Sequence, residues 1–167
     1  MNAKQKEQGQ VLVIFAVALV AMLGFVALAV DGSMIYSDHR YSQNAADSAA
    51  LAGASAASQM MANNPNYWWS SWDCGAIQPI KDAAIFKAVE RASANKFTIT
   101  EQNLDTANNG VQIVCVDLPF DKYMLVRVKV TSTTNTGFAQ LFYEGPVKNT
   151  AEGVARMSAA NATEFPD

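Results

Sequence analysis

The sequence is poor in the residue types that carry chemistry. It has one histidine, two cysteines and a charged fraction of only 16%. His39 stands beside Asp38 and Arg40, and no nucleophile elbow is present to set a serine against it, so a Ser/His/Asp hydrolase has no written site. Cys74 and Cys115 belong to no CxxC pair and no Cys/His cluster, which removes the signatures of zinc binding and thiol redox catalysis. Gly24 and Gly32 do not make a phosphate-binding loop. The 12 Lys and Arg residues are scattered among 15 Asp and Glu for a net charge of -3, so the concentrated basic face of a nucleic-acid binder is missing. There is no internal repeat, collagen-like period or charge block. These absences lead to the expectation of a non-enzymatic protein without cofactor, metal or nucleic-acid partner.

The most telling absence is local. From Val11 to Val30 the chain has no charged residue, no proline and a single glycine, Gly24. At about 1.5 Å per helical residue this run is about 30 Å long, the thickness of a bilayer's hydrocarbon core, and one helix can satisfy all of its backbone groups. A secretory signal peptide is the rival reading, but its apolar stretch is shorter, about 7 to 15 residues, and ends in a turn; this run passes through Asp31 into more helix-compatible sequence. The run is therefore expected to stay as a membrane or assembly helix. Lys4 and Lys6 precede it and Asp31 follows it, a bias that places the amino end in the cytoplasm and the remainder outside. Asp31 is expected to mark the membrane boundary; in a polymer with a lipid-like core it could instead pair with Lys4 or Lys6 of another copy.

From Asp31 to Met61 the sequence continues as helix. Ala45, Ala49, Ala52 and Ala56 recur at steps of three and four, and Ala46, Ala50, Gly53 and Ala57 make a second small stripe beside them. Small faces allow helix backbones to approach closely, whereas the plainer reading is that alanine is simply a strong helix former. A continuous helix from Gln10 to Met61 would be about 80 Å long, more than a small head could bury, so neighbouring copies or partner proteins are expected to cover it. Asn63, Asn64 and Pro65 end it. The chain then divides into a transmembrane and stalk helix, 1–62, and one extracytoplasmic head, 63–167.

The head opens with Tyr67, Trp68, Trp69 and Trp72, just before Cys74. Exposed, this cluster would serve as a platform for a glycan or protein; buried, it plugs the joint between rod and head, the preferred reading. An oxidising compartment permits a Cys74–Cys115 disulfide, expected to tie the aromatic loop to the first strong strand; the alternative is two buried free thiols. The stretch IQPIKDAAIFKAVERASANK, Ile77–Lys96, is predicted to be an amphipathic helix, with Ile80, Ala84 and Ala88, flanked by Ile85 and Val89, on its apolar face. A short strand is expected over Phe97–Thr100. Val111–Leu118 reads as a mostly buried strand, and Tyr123–Thr131 as a strand with Met124, Val126, Val128 and Val130 inward and Arg127 and Lys129 outward. The short PFDK connection makes these two an antiparallel hairpin. A short helix with Phe138, Leu141 and Phe142 in step and a last strand over Val147–Met157 complete an α+β fold: a long amino-terminal hydrophobic helix carrying a small antiparallel-sheet head.

At this point the stretch EQGQVLVIFAVALVAMLGFVALAVDGSMIYSDHRYSQNAADSAALAGA resembles the TadE/TadG-like proteins of the Tad (Flp) pilus machinery. Gly9 and Gln10 match the family's opening pair, Asp31 its acid at the outer end of the apolar helix, and Gln43–Ala54 its alanine-rich segment. The later VRVKV and GFAQLF patterns match more loosely. The resemblance implies an envelope-anchored, pilin-like component without enzymatic activity, acting in pilus biogenesis or forming filament material. Its implied partners are other copies in a helical filament, the inner-membrane pilus assembly machinery and the lipid bilayer. Its implied places are the cell membrane before assembly and an extracellular filament afterwards. Processing after Gly9 would leave Gln10 first and put the acidic position of pilins at Ile14, which is not acidic, so the amino terminus is expected to be retained. A membrane-anchored assembly accessory and an envelope binding module built on the Trp cluster are the alternatives.

Overall fold

A long sequence of apolar and alanine residues uninterrupted by proline forms one helix, α1 (Ala3–Ala62). The computed structural model describes residues 3–141 and 144–159, with the backbone alone for residues 3–9, 65, 69 and 141. The helix stops where expected. Asn64 folds its side chain onto the backbone N–H of Asn66 at 3.1 Å, an alternative to the helical ladder, and short 3-10 turns follow at Pro65–Tyr67 and Trp69–Ser71.

The second helix, α2 (Gln78–Ala94), starts with proline in its first turn, where a missing N–H costs nothing. Its end is a Schellman motif. Phe97 N–H bonds the Ala92 carbonyl and Lys96 N–H the Ser93 carbonyl, with Lys96 in the left-handed region at φ 65° where glycine is usual. Three strands follow: β1 (Gly110–Leu118), β2 (Asp121–Thr134) and β3 (Val147–Ser158), forming an antiparallel sheet in that order. Leu118 pairs with Asp121, so Pro119 and Phe120 make the turn of the expected hairpin.

Two local expectations are corrected. Phe97–Thr100 is not a strand; only a single parallel bridge, Glu101 to Val111, joins this segment to the sheet. The Asn103 side chain accepts from Asp105 N–H at 2.9 Å and turns the chain away before a ladder can extend. The predicted helix after the Thr-rich segment is reduced to a 3-10 turn, Ala139–Leu141, and Phe142 and Tyr143 lie outside the described residues.

By compactness the chain falls into two units, Met1–Asp38 with Thr133–Val147, and His39–Ser132 with Lys148–Asp167. In the second unit, alanines of α1 and α2 meet the branched face of the sheet. Ala46, Ala49, Ala50 and Ala57 from α1, Ile80, Ala84 and Ala88 from α2, and Met124, Val126, Val128 and Val130 from β2 are all buried in one core. Each buried branched side chain contributes about 1.5–3 kcal/mol. Arg127 and Lys129 lie on the opposite face of β2, as alternation requires, but they are paired there. Arg127 meets Glu152 at 2.9 Å and Asp105 at 3.1 Å, while Lys129 donates to the Leu104 carbonyl at 2.6 Å. Glu152 first and Asp105 second hold the Arg127 guanidinium above its ordinary range.

Candidate functional site

Nothing in the sequence points to a reaction centre, so the candidate site is a surface, and it begins at the apolar run. The large apolar residues from Val11 to Val30 are 44% to 73% exposed. Among the described residues, α1 from Gln10 on is the helix long and apolar enough to cross a membrane. A helix that is apolar all round and uncovered has lipid or protein as its solvent. Gln10 is exposed at the start of this face; for Lys4, Lys6 and Gly9 the backbone alone is described. Gly24 is open, with no atom within 4 Å of the position a Cβ would take.

Asp31 has a partner that its place at the end of the run does not reveal. It is 3% exposed, and its carboxylate accepts the backbone N–H groups of Gly137, Phe138 and Ala139, the first at 2.9 Å. Three consecutive donors converging on one carboxylate form an anion nest, here closed by a residue 106 positions away in sequence. Asp38, further along the same helix, accepts from the Thr134 hydroxyl at 2.6 Å. Asp31 therefore fastens the segment after β2 to the carboxyl-terminal end of the apolar run. The hydroxyl of Thr136 in the same segment is buried and finds no hydrogen-bond partner among the described residues. Phe138 and Ala139, with Val20, Gly24, Leu28 and their neighbours on α1, line an open apolar groove of about 580 Å3.

The small stripes on α1 have a nearer occupant than another copy. Ala45, Ala46, Ala49, Ala50, Gly53 and Ala57 are buried, while Ala52 and Ala56 are half-buried. A Cβ at Gly53 would lie 2.8 Å from the Ala84 carbonyl oxygen of α2, and one at Gly153 of β3 would lie 2.5 Å from the Asp47 nitrogen. Gln43 bridges the same two elements, donating to Asp47 at 3.1 Å and to the Glu152 carbonyl at 3.0 Å. Within the chain, β3 and α2 sit on this stripe. No periodicity in the helix distinguishes these two occupants, because both want small residues.

In the aromatic segment, Trp72 is buried and its indole N–H reaches the Val116 carbonyl at 3.3 Å, while Tyr67 and Trp68 pack half-buried against the core. The side chain of Trp69 lies outside the described residues. Cys74 and Cys115 form a disulfide with a Cα–Cα distance of 5.7 Å, and Lys81 donates to the Cys74 carbonyl at 2.6 Å. The loop is therefore held to β1 covalently and through Trp72. Among the described residues no group of three or more His, Cys, Asp or Glu side chains comes together to hold a metal.

No curated protein and no solved structure matches the chain. Residues 9–56, from the Gly9–Gln10 pair through Asp31 to the alanine-rich segment, match the family described as "Putative Flp pilus-assembly TadE/G-like", so this segment of the chain is similar to that family.

Proposed function

We propose that the chain is a non-enzymatic, pilin-like structural subunit of a Tad-type pilus or related surface filament, assembled through its amino-terminal helix. The observation that carries this reading is the uncovered apolar surface from Val11 to Val30 on the same helix that seats a disulfide-bonded sheet. In the membrane, each Leu, Ile, Phe or Val near the helix centre favours insertion by about 0.3–0.6 kcal/mol. In a filament, the same surface would pack against neighbouring copies at little net hydrophobic cost, since lipid tails and apolar side chains are similar solvents. Residues 1–62 serve as anchor and stalk, with the amino end cytoplasmic, and 63–167 as the extracytoplasmic head.

The burial of the Ala46–Ala57 stripe beneath β3 and α2 favours a second reading, a membrane-anchored accessory of pilus assembly, because it leaves less small-residue surface for helix packing between copies. Shearing separates the two. A subunit appears by mass spectrometry in sheared filaments that electron microscopy resolves, whereas an accessory stays in the membrane fraction, and its absence from every filament preparation would overturn the subunit reading. The binding-module reading loses support from Trp72, whose ring is buried rather than presented.

A further inference from the structure

The apolar groove beside α1 has a position and a shape that select an occupant. Its α1 wall runs from Val20, the middle of the Val11–Val30 run, to Leu28 near its outer end. Eight helical steps cover about 12 Å, close to half of the roughly 30 Å hydrocarbon core. The groove therefore spans one leaflet, the one on the Asp31 side. Its outer end is walled by Phe138, itself half exposed, and Ala139. Irregular backbone cannot stand beside hydrocarbon with its N–H groups free, and Asp31 takes up those of Gly137, Phe138 and Ala139.

A neighbouring helix fits this groove poorly. Ala21, Gly24 and Ala27 recur every three residues, a spacing that turns about 60° around the helix at each step instead of holding one face. The positions four residues from Gly24 are Val20 and Leu28, both bulky, so no small seam lies along the axis. A helix is roughly 10–12 Å across and would have to override the Gly137–Ala139 turn to continue past it. A single hydrocarbon chain has neither difficulty.

We propose that this groove holds the acyl chain of a membrane lipid in the leaflet on the Asp31 side, with Phe138 at the interface as its outer wall. The proposal rests on the reading of α1 as a membrane helix. It makes the segment after β2 a second point of membrane contact, fastened to the anchor by Asp31. Because Gly24 lines the groove and no atom beyond its own stretch of helix lies within 4 Å of a Cβ placed there, a larger side chain at this position takes up groove volume.

The test uses the full chain in native membranes, with the photo-crosslinker p-benzoylphenylalanine in place of Phe138 and, separately, in place of Val13 on the other half of the run. Irradiation followed by mass spectrometry is expected to give lipid adducts at both positions. Gly24→Leu is expected to lower the yield at position 138 several-fold and to leave that at position 13 unchanged. Lipid adducts at 13 with none at 138, or a crosslink from 138 to a second copy, would overturn the groove proposal while the membrane helix stands. An unchanged yield at 138 in Gly24→Leu would do the same. Lipid adducts at neither position would overturn both.

Discussion

The backbone of Gly153 in β3 lies directly on the backbone of Ala46 in α1: a Cβ at 153 would stand 2.5 Å from the Ala46 carbonyl carbon. No side chain separates the two elements there. Gly153→Ala is expected to destabilise the full-length protein in detergent by at least the about 1–3 kcal/mol typical of overpacking, read as a lower thermal midpoint. Gly32→Ala, where the added methyl meets nothing within 4 Å, is the control and is expected to leave the midpoint unchanged or to raise it, since alanine favours helix over glycine by up to about 1 kcal/mol.

Asp31→Ala removes the acceptor of the three N–H groups at Gly137, Phe138 and Ala139. Losing the acceptor of a buried donor costs about 1–3 kcal/mol, so amide hydrogen exchange at 137–139 is expected to accelerate by roughly 5- to 150-fold. Exchange in β1, which takes no part in the nest, is expected to stay the same. Equal acceleration in both would show that Asp31 supports the whole fold rather than this segment.

The disulfide closes a separation of 41 residues. In the chain-entropy account that constraint is worth about 4 kcal/mol, and the paired substitution Cys74→Ser with Cys115→Ser is expected to lose most of it. Thiol labelling of the untreated protein under non-reducing denaturing conditions is expected to find no free thiol. Denaturant titration of both forms measures the loss.

Lys96 occupies a left-handed position that costs an ordinary residue about 1–2 kcal/mol. Glycine avoids this cost but gives back part of the gain as extra freedom in the unfolded chain. Lys96→Gly is expected to stabilise by about 0.5–1 kcal/mol, with the Phe97–Ala92 and Lys96–Ser93 hydrogen bonds retained. A lowered thermal midpoint would contradict this account of the cap.

The parts of the fold that could be read in advance are those that local pattern dictates. The apolar run and its alanine continuation specify α1, Asn63–Pro65 stop it, and the alternation of Met124, Val126, Val128 and Val130 sets the buried face of β2. The Pro119–Phe120 turn follows from two strands separated by too few residues for any other connection. The parts that could not be read depend on distant partners. Ala46 and Gly53 look alike whether the neighbour is another molecule or the chain's own β3 and α2, and Asp31 carries no local sign of Gly137–Ala139. Phe97–Thr100 misled because extended, β-compatible residues form a strand only where a neighbour offers a ladder, and here the Asn103 turn ends the pairing after one bridge.

The seating of β3 on Ala46 and Asp47 has a consequence for the order in which the fold closes. On the membrane reading, α1 emerges and enters the bilayer before α2 and the sheet that cover its alanine stripe are made. The stretch around Ala46–Ala57 is made early, yet its cover includes Gly153, far later in the sequence, and the Gln43–Glu152 bond spans 109 positions. Such long-range closure is slow and comes only after the intervening chain is in place. During that interval the alanine face lacks part of its cover, and the arrival of β3 completes it.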